Sequence, residues 1–121
     1  MTEVLPLWEI LVPHRMGRHD GTNPELPRAN SVVHVEYHRK WDAKVMEMTG
    51  GMTLMKAAKG SWKSPNTGKT DCEIMIPVRI ACTESQIKEI MALTIKMYAQ
   101  EAVMATLISE RAIIMHEDEV K

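Results

Sequence analysis

The chain has 121 residues, a hydrophobic fraction of 45% and a formal net charge of −1. That length suits one domain with a real core. No apolar run approaches the roughly 18 residues of a membrane span, the start Met1-Thr2-Glu3-Val4 has no basic region leading into an apolar one, and a near-neutral charge argues against nucleic acid as a partner.

The first strand is expected over residues 7–12. Trp8, Ile10 and Val12 share one face, Leu7, Glu9 and Leu11 the other, and Pro13 ends it. A long loop over about 14–30 follows, carrying Gly17, Gly21, Pro24 and Pro27 without periodicity. Connections of that length are usually functional or disordered. The first helix is predicted over about 32–48, capped by Asn30 or Ser31. Tyr37, Trp41, Val45 and Met48 form its apolar stripe, and Gly50-Gly51 ends it.

The second strand is read over about 52–58, continuing as far as Trp62, and Pro65-Asn66-Thr67-Gly68 makes a turn. A strict alternation then marks a strand over 72–82. Cys72, Ile74, Ile76, Val78, Ile80 and Cys82 fall on one parity, Met75, Pro77, Arg79 and Ala81 on the other. The two strands form a hairpin with a basic tip. Pro77 lacks an amide donor, so a bulge or a gap in the ladder is expected there. The period switches to a helix at Thr83-Glu84-Ser85-Gln86, which has capping-box spacing. Ile87, Ile90, Met91, Thr94, Met97 and Tyr98 make the buried stripe of this second helix. A last strand is expected over 102–109, a turn at Glu110-Arg111, a short extra strand over 112–115, and a frayed acidic tail over 116–121.

The order β-α-β-β-α-β is the split βαβ, or ferredoxin-like, α+β pattern. It predicts one domain over 1–121, a four-stranded antiparallel sheet with both helices on one face, the first and third strands central, and a short extra C-terminal strand. The uncovered face then carries Leu7, Leu11, Met75 and Ala81, which is too apolar to leave wet. A homo-oligomer packed through the sheet is expected, a face-to-face dimer being the simplest closed form. Cys72 and Cys82 are separated by roughly 33 Å of extended chain, too far for a disulfide. Two free thiols on an apolar parity fit a reducing cytoplasm, and eleven Met fit a core with few aromatics.

The series Trp41, Gly51-Met52-Thr53-Leu54, Gly60-Ser61-Trp62, Gly68, Glu73 and Tyr98-Ala99-Gln100-Glu101-Ala102-Val103 resembles a family of small bacterial and phage domains of unknown function. Those domains have a Gly-Gln-Trp-like turn and a Gln-Glu-Ser-Val-like last strand. This chain has Ser61 where the family has Gln. The resemblance covers about half the chain, implies the ferredoxin-like fold and brings no reaction with it. The element order is also similar to small oligomeric sheet proteins that sense or sequester nucleotides, and to dimeric α/β-barrel enzymes, a likeness of fold only.

Four groups of residues could carry chemistry. The segment from His14 to Lys40 holds Arg15, Arg18, Arg28, Arg39 and Lys40 against Asp20, Glu25 and Glu36, with four of the five histidines. With a helix N-terminus inside it, it suits a phosphate or carboxylate, and it also reads as a solvated loop. His34 and His38 lie one helical turn apart and could face a transition metal. A third ligand would have to come from His14, His19 or Glu36, and no His-Glu-x-x-His is present, so surface packing is the competing reading. Trp62 sits among Lys56, Lys59, Lys63 and Lys69, a pattern that can stack a base, blunt a sheet edge or anchor an interface. Glu101 beside Tyr98 could do acid–base work or simply close the helix end.

These readings favour non-catalytic binding of a small anionic ligand such as a nucleotide by a homo-oligomer. Arg15, Arg18, Arg28 and Arg39 would supply charge, Trp62 a stacking face and Lys63 a second phosphate contact. No metal or other cofactor is called for, and neither membrane nor nucleic acid is an expected partner. Two alternatives remain. One is an isomerase or hydrolase of dimeric-barrel type using Glu101, Tyr98 or His38. The other is a protein-interaction module that inhibits a host enzyme through the 14–30 loop.

Overall fold

The computed structural model describes residues 2–120. In chain order it contains β1 (Glu3–Pro13), α1 (Val35–Thr49), β2 (Thr53–Leu54), β3 (Ala58–Lys63), β4 (Thr70–Ala81), α2 (Glu84–Tyr98), β5 (Ala105–Ile114) and a 3-10 turn at Glu117–Glu119. The sheet is antiparallel with order β2-β4-β1-β5, and β3 also pairs with β4. This is the expected ferredoxin-like arrangement, with β1 and β4 central.

Alternation decides which face is buried. Trp8 pairs with Ile80, Ile10 with Val78 and Val12 with Ile76, so one parity of both strands forms a continuous apolar surface. Trp41 and Val45 of α1 and Ile87, Ile90 and Tyr98 of α2 pack on it, which places both helices on that side. Each such side chain stabilises the fold by about 1.5–3 kcal/mol on full burial. The Trp41 indole N–H donates to Thr94 Oγ1 at 2.9 Å, and Thr94 donates to the Ile90 carbonyl at 2.7 Å, so both buried polar groups are satisfied. The capping box forms as its spacing predicts: Thr83 Oγ1 accepts from the Gln86 amide and Gln86 Oε1 from the Thr83 amide.

Pro77 marks the break in its neighbour. Leu54 pairs with Val78 and Ala58 with Met75, so residues 55–57 face only 76 and 77 across the ladder. The second strand is thus two strands, with the gap where Pro77 offers no donor. The Met55 amide still donates to the Pro77 carbonyl at 3.0 Å.

Four expectations need correction. The first helix begins at Val35, with His34 in the cap position and no side-chain cap bond. Residues 31–33 are drawn into pairing with 14–16 instead, through the Arg15–Val32 bridge, Met16 N to Ser31 O and Val33 N to His14 O. The loop is thereby tied down, with Met16 and Val33 in the core. The extra C-terminal strand is not separate. Residues 112–114 continue β5, and the Glu110-Arg111 turn is an irregularity within it, where Ser109 Oγ accepts from the Arg111 amide and donates to the Arg111 carbonyl. Cys82 is buried but Cys72 is exposed, because β4 runs past the helices that cover its other end. Where the sequence reads as a frayed tail, Glu117–Glu119 form a turn, Thr2 donates to Glu119 and His116 faces Glu3 at 3.2 Å; Lys121 lies outside the described residues. Among the described residues no helix is long and apolar enough to cross a membrane.

Candidate functional site

The offset register of two strands of nearly equal length creates the site. Pairing of β1 with β4 ends at Pro13–Met75, and the His14 amide takes the Ile74 carbonyl. The β3–β4 hairpin continues beyond that point and overhangs the end of β1. A cleft of about 390 Å³ lies there. The hairpin lines it with Trp62, Ser64, Lys69, Asp71 and Glu73, the segment after β1 with Arg15, Gly17 and Arg18, and the α2–β5 linker with Ala99, Gln100 and Glu101.

Close backbone approach builds the base of the cleft. α2 ends at Ala99 in the left-handed region, φ 53°. The Gly17 amide donates to the Tyr98 carbonyl at 2.8 Å, and Gln100 Nε2 donates to the same oxygen at 2.9 Å. A Cβ at position 17 would stand 1.9 Å from the Ala99 carbonyl oxygen, so only glycine fits. Arg15 Nη1 donates to the Asn30 carbonyl at 2.9 Å, which holds the guanidinium at the rim.

The hairpin is fixed by one carboxylate. Ser64 donates to Glu101 Oε2 at 2.9 Å and Asn66 Nδ2 donates to Glu101 Oε1 at 3.2 Å. Trp62 pairs with Asp71 and Gly60 with Glu73, so the indole and both carboxylates share one face of the ribbon. The lining therefore combines three cations, Arg15, Arg18 and Lys69, with the carboxylates of Asp71 and Glu73, while Glu101 is occupied by the hairpin. An aromatic face between opposite charges can stack a planar group, hold an anion and accept from hydroxyl or amino donors.

Of the residues singled out in the sequence, Arg15, Arg18 and Trp62 come together in the cleft. Lys63 follows Trp62 on the opposite face of the ribbon, paired with Thr70. Arg28 is exposed in the loop, where its carbonyl accepts from Ser31. Arg39 pairs with Glu36 at 3.2 Å on the solvent side of α1, both side chains more than two-thirds exposed. Glu101 and its neighbour Gln100 line the cleft as well. Lys69, read in the sequence as part of the basic tip, Asp71, read as a strand residue, and Glu73, quoted only in the resemblance, join it without having been read as ligand contacts.

Of the three acid–base candidates, His38 and Tyr98 meet between the helices and Glu101 lies apart from them. Tyr98 is fully buried, and its hydroxyl lies 2.8 Å from His38 Nδ1. Burial, helped by the Asp42 and Tyr37 charges, pushes the Tyr98 phenol far above its ordinary range. Burial also holds the His38 imidazole below its usual value, against the pull of Asp42. Glu101 is exposed and faces the hairpin. His34 is exposed at the start of α1 while His38 turns inward to Tyr98. Among the described residues no group of three or more His, Cys, Asp or Glu is placed to hold a metal ion.

No protein-family model and no curated protein matches this sequence. Solved structures do resemble it. The periplasmic divalent cation tolerance protein CutA of Archaeoglobus fulgidus superposes with a TM-score of 0.50 at 10% identity, over 97% of this chain and 85% of that one. A point mutant of CutA1 from Pyrococcus horikoshii OT3 gives 0.50 at 9% identity, over 98% of this chain and 91% of that one. At such identities the likeness concerns architecture alone: the chain shares the fold of these CutA structures.

Proposed function

We propose that the protein binds a small anionic ligand of the nucleotide class, without catalysis, in the cleft beneath the β3–β4 hairpin. The observation that supports this most is the gathering of Arg15, Arg18 and Lys69 around Trp62 from two distant parts of the chain. Guanidinium groups take phosphate oxygens in bidentate fashion, and an indole stacks on a base with little sequence of contacts to satisfy. Asp71 and Glu73 would repel a second phosphate but accept from ribose hydroxyls or an exocyclic amine.

The working form is a homo-oligomer. The sheet face away from the helices carries Leu7, Leu11, Met75 and Ala81 around a Glu9–Arg79 pair at 3.1 Å. A second copy is the simplest cover for such a face, since an isologous contact matches apolar rim to apolar rim and closes. Two free thiols suit a reducing cytoplasm. In a phage setting, as the resemblance to small phage domains implies, the role would be to sequester a signalling nucleotide.

Native mass spectrometry of freshly purified protein tests both parts. An oligomer releasing a phosphorylated small molecule on denaturation is expected, and Trp62→Ala and Arg18→Ala should each weaken rebinding about tenfold or more. A bare monomer with no measurable affinity for any of a panel of nucleoside phosphates would overturn the reading.

A further inference from the structure

The cleft has one wall fixed to the body and one built on an overhang. Gly17 is locked against the end of α2 by its 2.8 Å bond to the Tyr98 carbonyl and by the absence of room for a Cβ. The hairpin has no such support. Beyond Ile74, β4 has β3 as its only strand partner among the described residues. A two-stranded ribbon alone is marginal in water.

Glu101 supplies the side-chain tie between the ribbon's tip and the body. Both of its carboxylate oxygens are engaged, one by Ser64 at 2.9 Å and the other by Asn66 at 3.2 Å. Ser64 is only 4% exposed, and its hydroxyl also accepts from the Asn66 amide at 3.3 Å and the Thr67 amide at 3.4 Å. One carboxylate thus organises the turn and joins it to the α2–β5 linker. Hydrogen bonds to an ionised acceptor are the strong kind, and removing the acceptor leaves the Ser64 hydroxyl buried without it.

We propose that Glu101 is a positioning residue that latches the hairpin as the movable wall of the cleft, holding Trp62 and Lys69 across from Arg15 and Arg18, and that release of this latch is how the cleft opens. This rests on the cleft being the binding site. The same geometry commits Glu101 to the hairpin, since each of its oxygens already accepts a hydrogen bond from it.

The test is amide hydrogen exchange by NMR on the full chain, comparing wild type with E101A and E101Q. The Ser64 and Gly68 amides bond within the turn, to the Lys69 and Ser64 carbonyls at 2.9 Å each, and report the latch. The Gly17 amide reports the fixed wall. E101A should speed exchange at Ser64 and Gly68 about tenfold or more and leave Gly17 unchanged, with E101Q, which keeps one acceptor oxygen, between the two. Unchanged exchange at Ser64 and Gly68 in E101A, or equal acceleration at Gly17, overturns the latch. ADP titration separates this from the binding reading. Faster dissociation of ADP from E101A than from wild type supports control of the cleft by the latch, and equal dissociation refutes it. Failure of wild type to bind ADP or any other nucleoside phosphate removes the binding reading, while the exchange result still decides whether the latch exists.

Discussion

His38 Nδ1 and the Tyr98 hydroxyl lie 2.8 Å apart and join α1 to α2. Burial keeps the Tyr98 phenol neutral, and the direction of the bond follows the imidazole tautomer. The other ring nitrogen, Nε2, is buried with no hydrogen-bond partner among the described residues. Charging this ring is costly: burial disfavours the cation and His14 adds repulsion, with Asp42 opposing in part. The folded-state value therefore lies below the unfolded value of 6.5. A depressed value means that stability is full above the unfolded value and is lost as pH falls toward the folded one, because the unfolded chain binds the proton first. Urea midpoints measured at about pH 7.5 and about pH 5.5 should show a loss on acidification that shrinks in His38→Phe. An equal loss in both proteins would show that His38 is not responsible.

The Trp41–Thr94 bond gives a second test, on the core itself. Trp41 is 1% exposed and its N–H has Thr94 Oγ1 as acceptor. Thr94→Val keeps the shape and removes the acceptor, leaving a buried donor unpaired. That should destabilise the protein by about 1–3 kcal/mol in chemical denaturation, without changing the fold seen by circular dichroism. The double variant with Trp41→Phe, which deletes the donor as well, should cost less than the sum of the single changes.

What the sequence makes legible follows from local physics. The period of two from Cys72 to Cys82, the stripe through Trp41 and Val45, and the box at Thr83 and Gln86 each encode one element, and each forms. The start of α1 departs from its local pattern because residues 31–33 have a competing partner in residues 14–16, which no local pattern announces. The cleft is harder still. Arg15 and Trp62 stand out as residue types, but their meeting depends on β4 outrunning β1 by several residues at one end, which is set by the register of two strands of nearly equal length. Cys72 fails for the same reason: its parity matches Cys82, yet the helices do not extend over that end of the sheet.

The uncovered sheet face carries a prediction about assembly. Leu11 is half-buried there, opposite Pro77 and next to the Glu9–Arg79 pair. Leu11→Lys would force a charge into any interface formed by this face while pointing away from the helices and the core. Sedimentation velocity should show an oligomer for wild type and a monomer for Leu11→Lys, with a melting temperature for the subunit that changes little. A charged lysine in a desolvated contact costs several kcal/mol, enough to dissociate a micromolar complex, which is about 8 kcal/mol in all. Retention of the oligomer in Leu11→Lys would place the interface elsewhere.

Gly17 gives the sharpest contrast among the glycines. Its φ is not in the left-handed region, so backbone freedom is not why glycine stands there; space is. A Cβ would lie 1.9 Å from the Ala99 carbonyl oxygen, and that atom is backbone at the end of a helix, unable to swing aside like a side chain. Gly17→Ala must therefore push the 14–34 segment off α2 and stretch the bond from the Gly17 amide to the Tyr98 carbonyl. Overpacking of this kind costs about 1–3 kcal/mol. Because Arg15 and Arg18 ride on the displaced segment, ADP affinity should fall together with stability. Gly51→Ala is the matched control, since a Cβ there meets nothing within 4 Å and needs no positive φ. It should leave both quantities within about 0.5 kcal/mol of wild type. A Gly17→Ala protein as stable as Gly51→Ala would mean that the loop does not sit against the end of α2, and the base of the cleft would have to be redrawn.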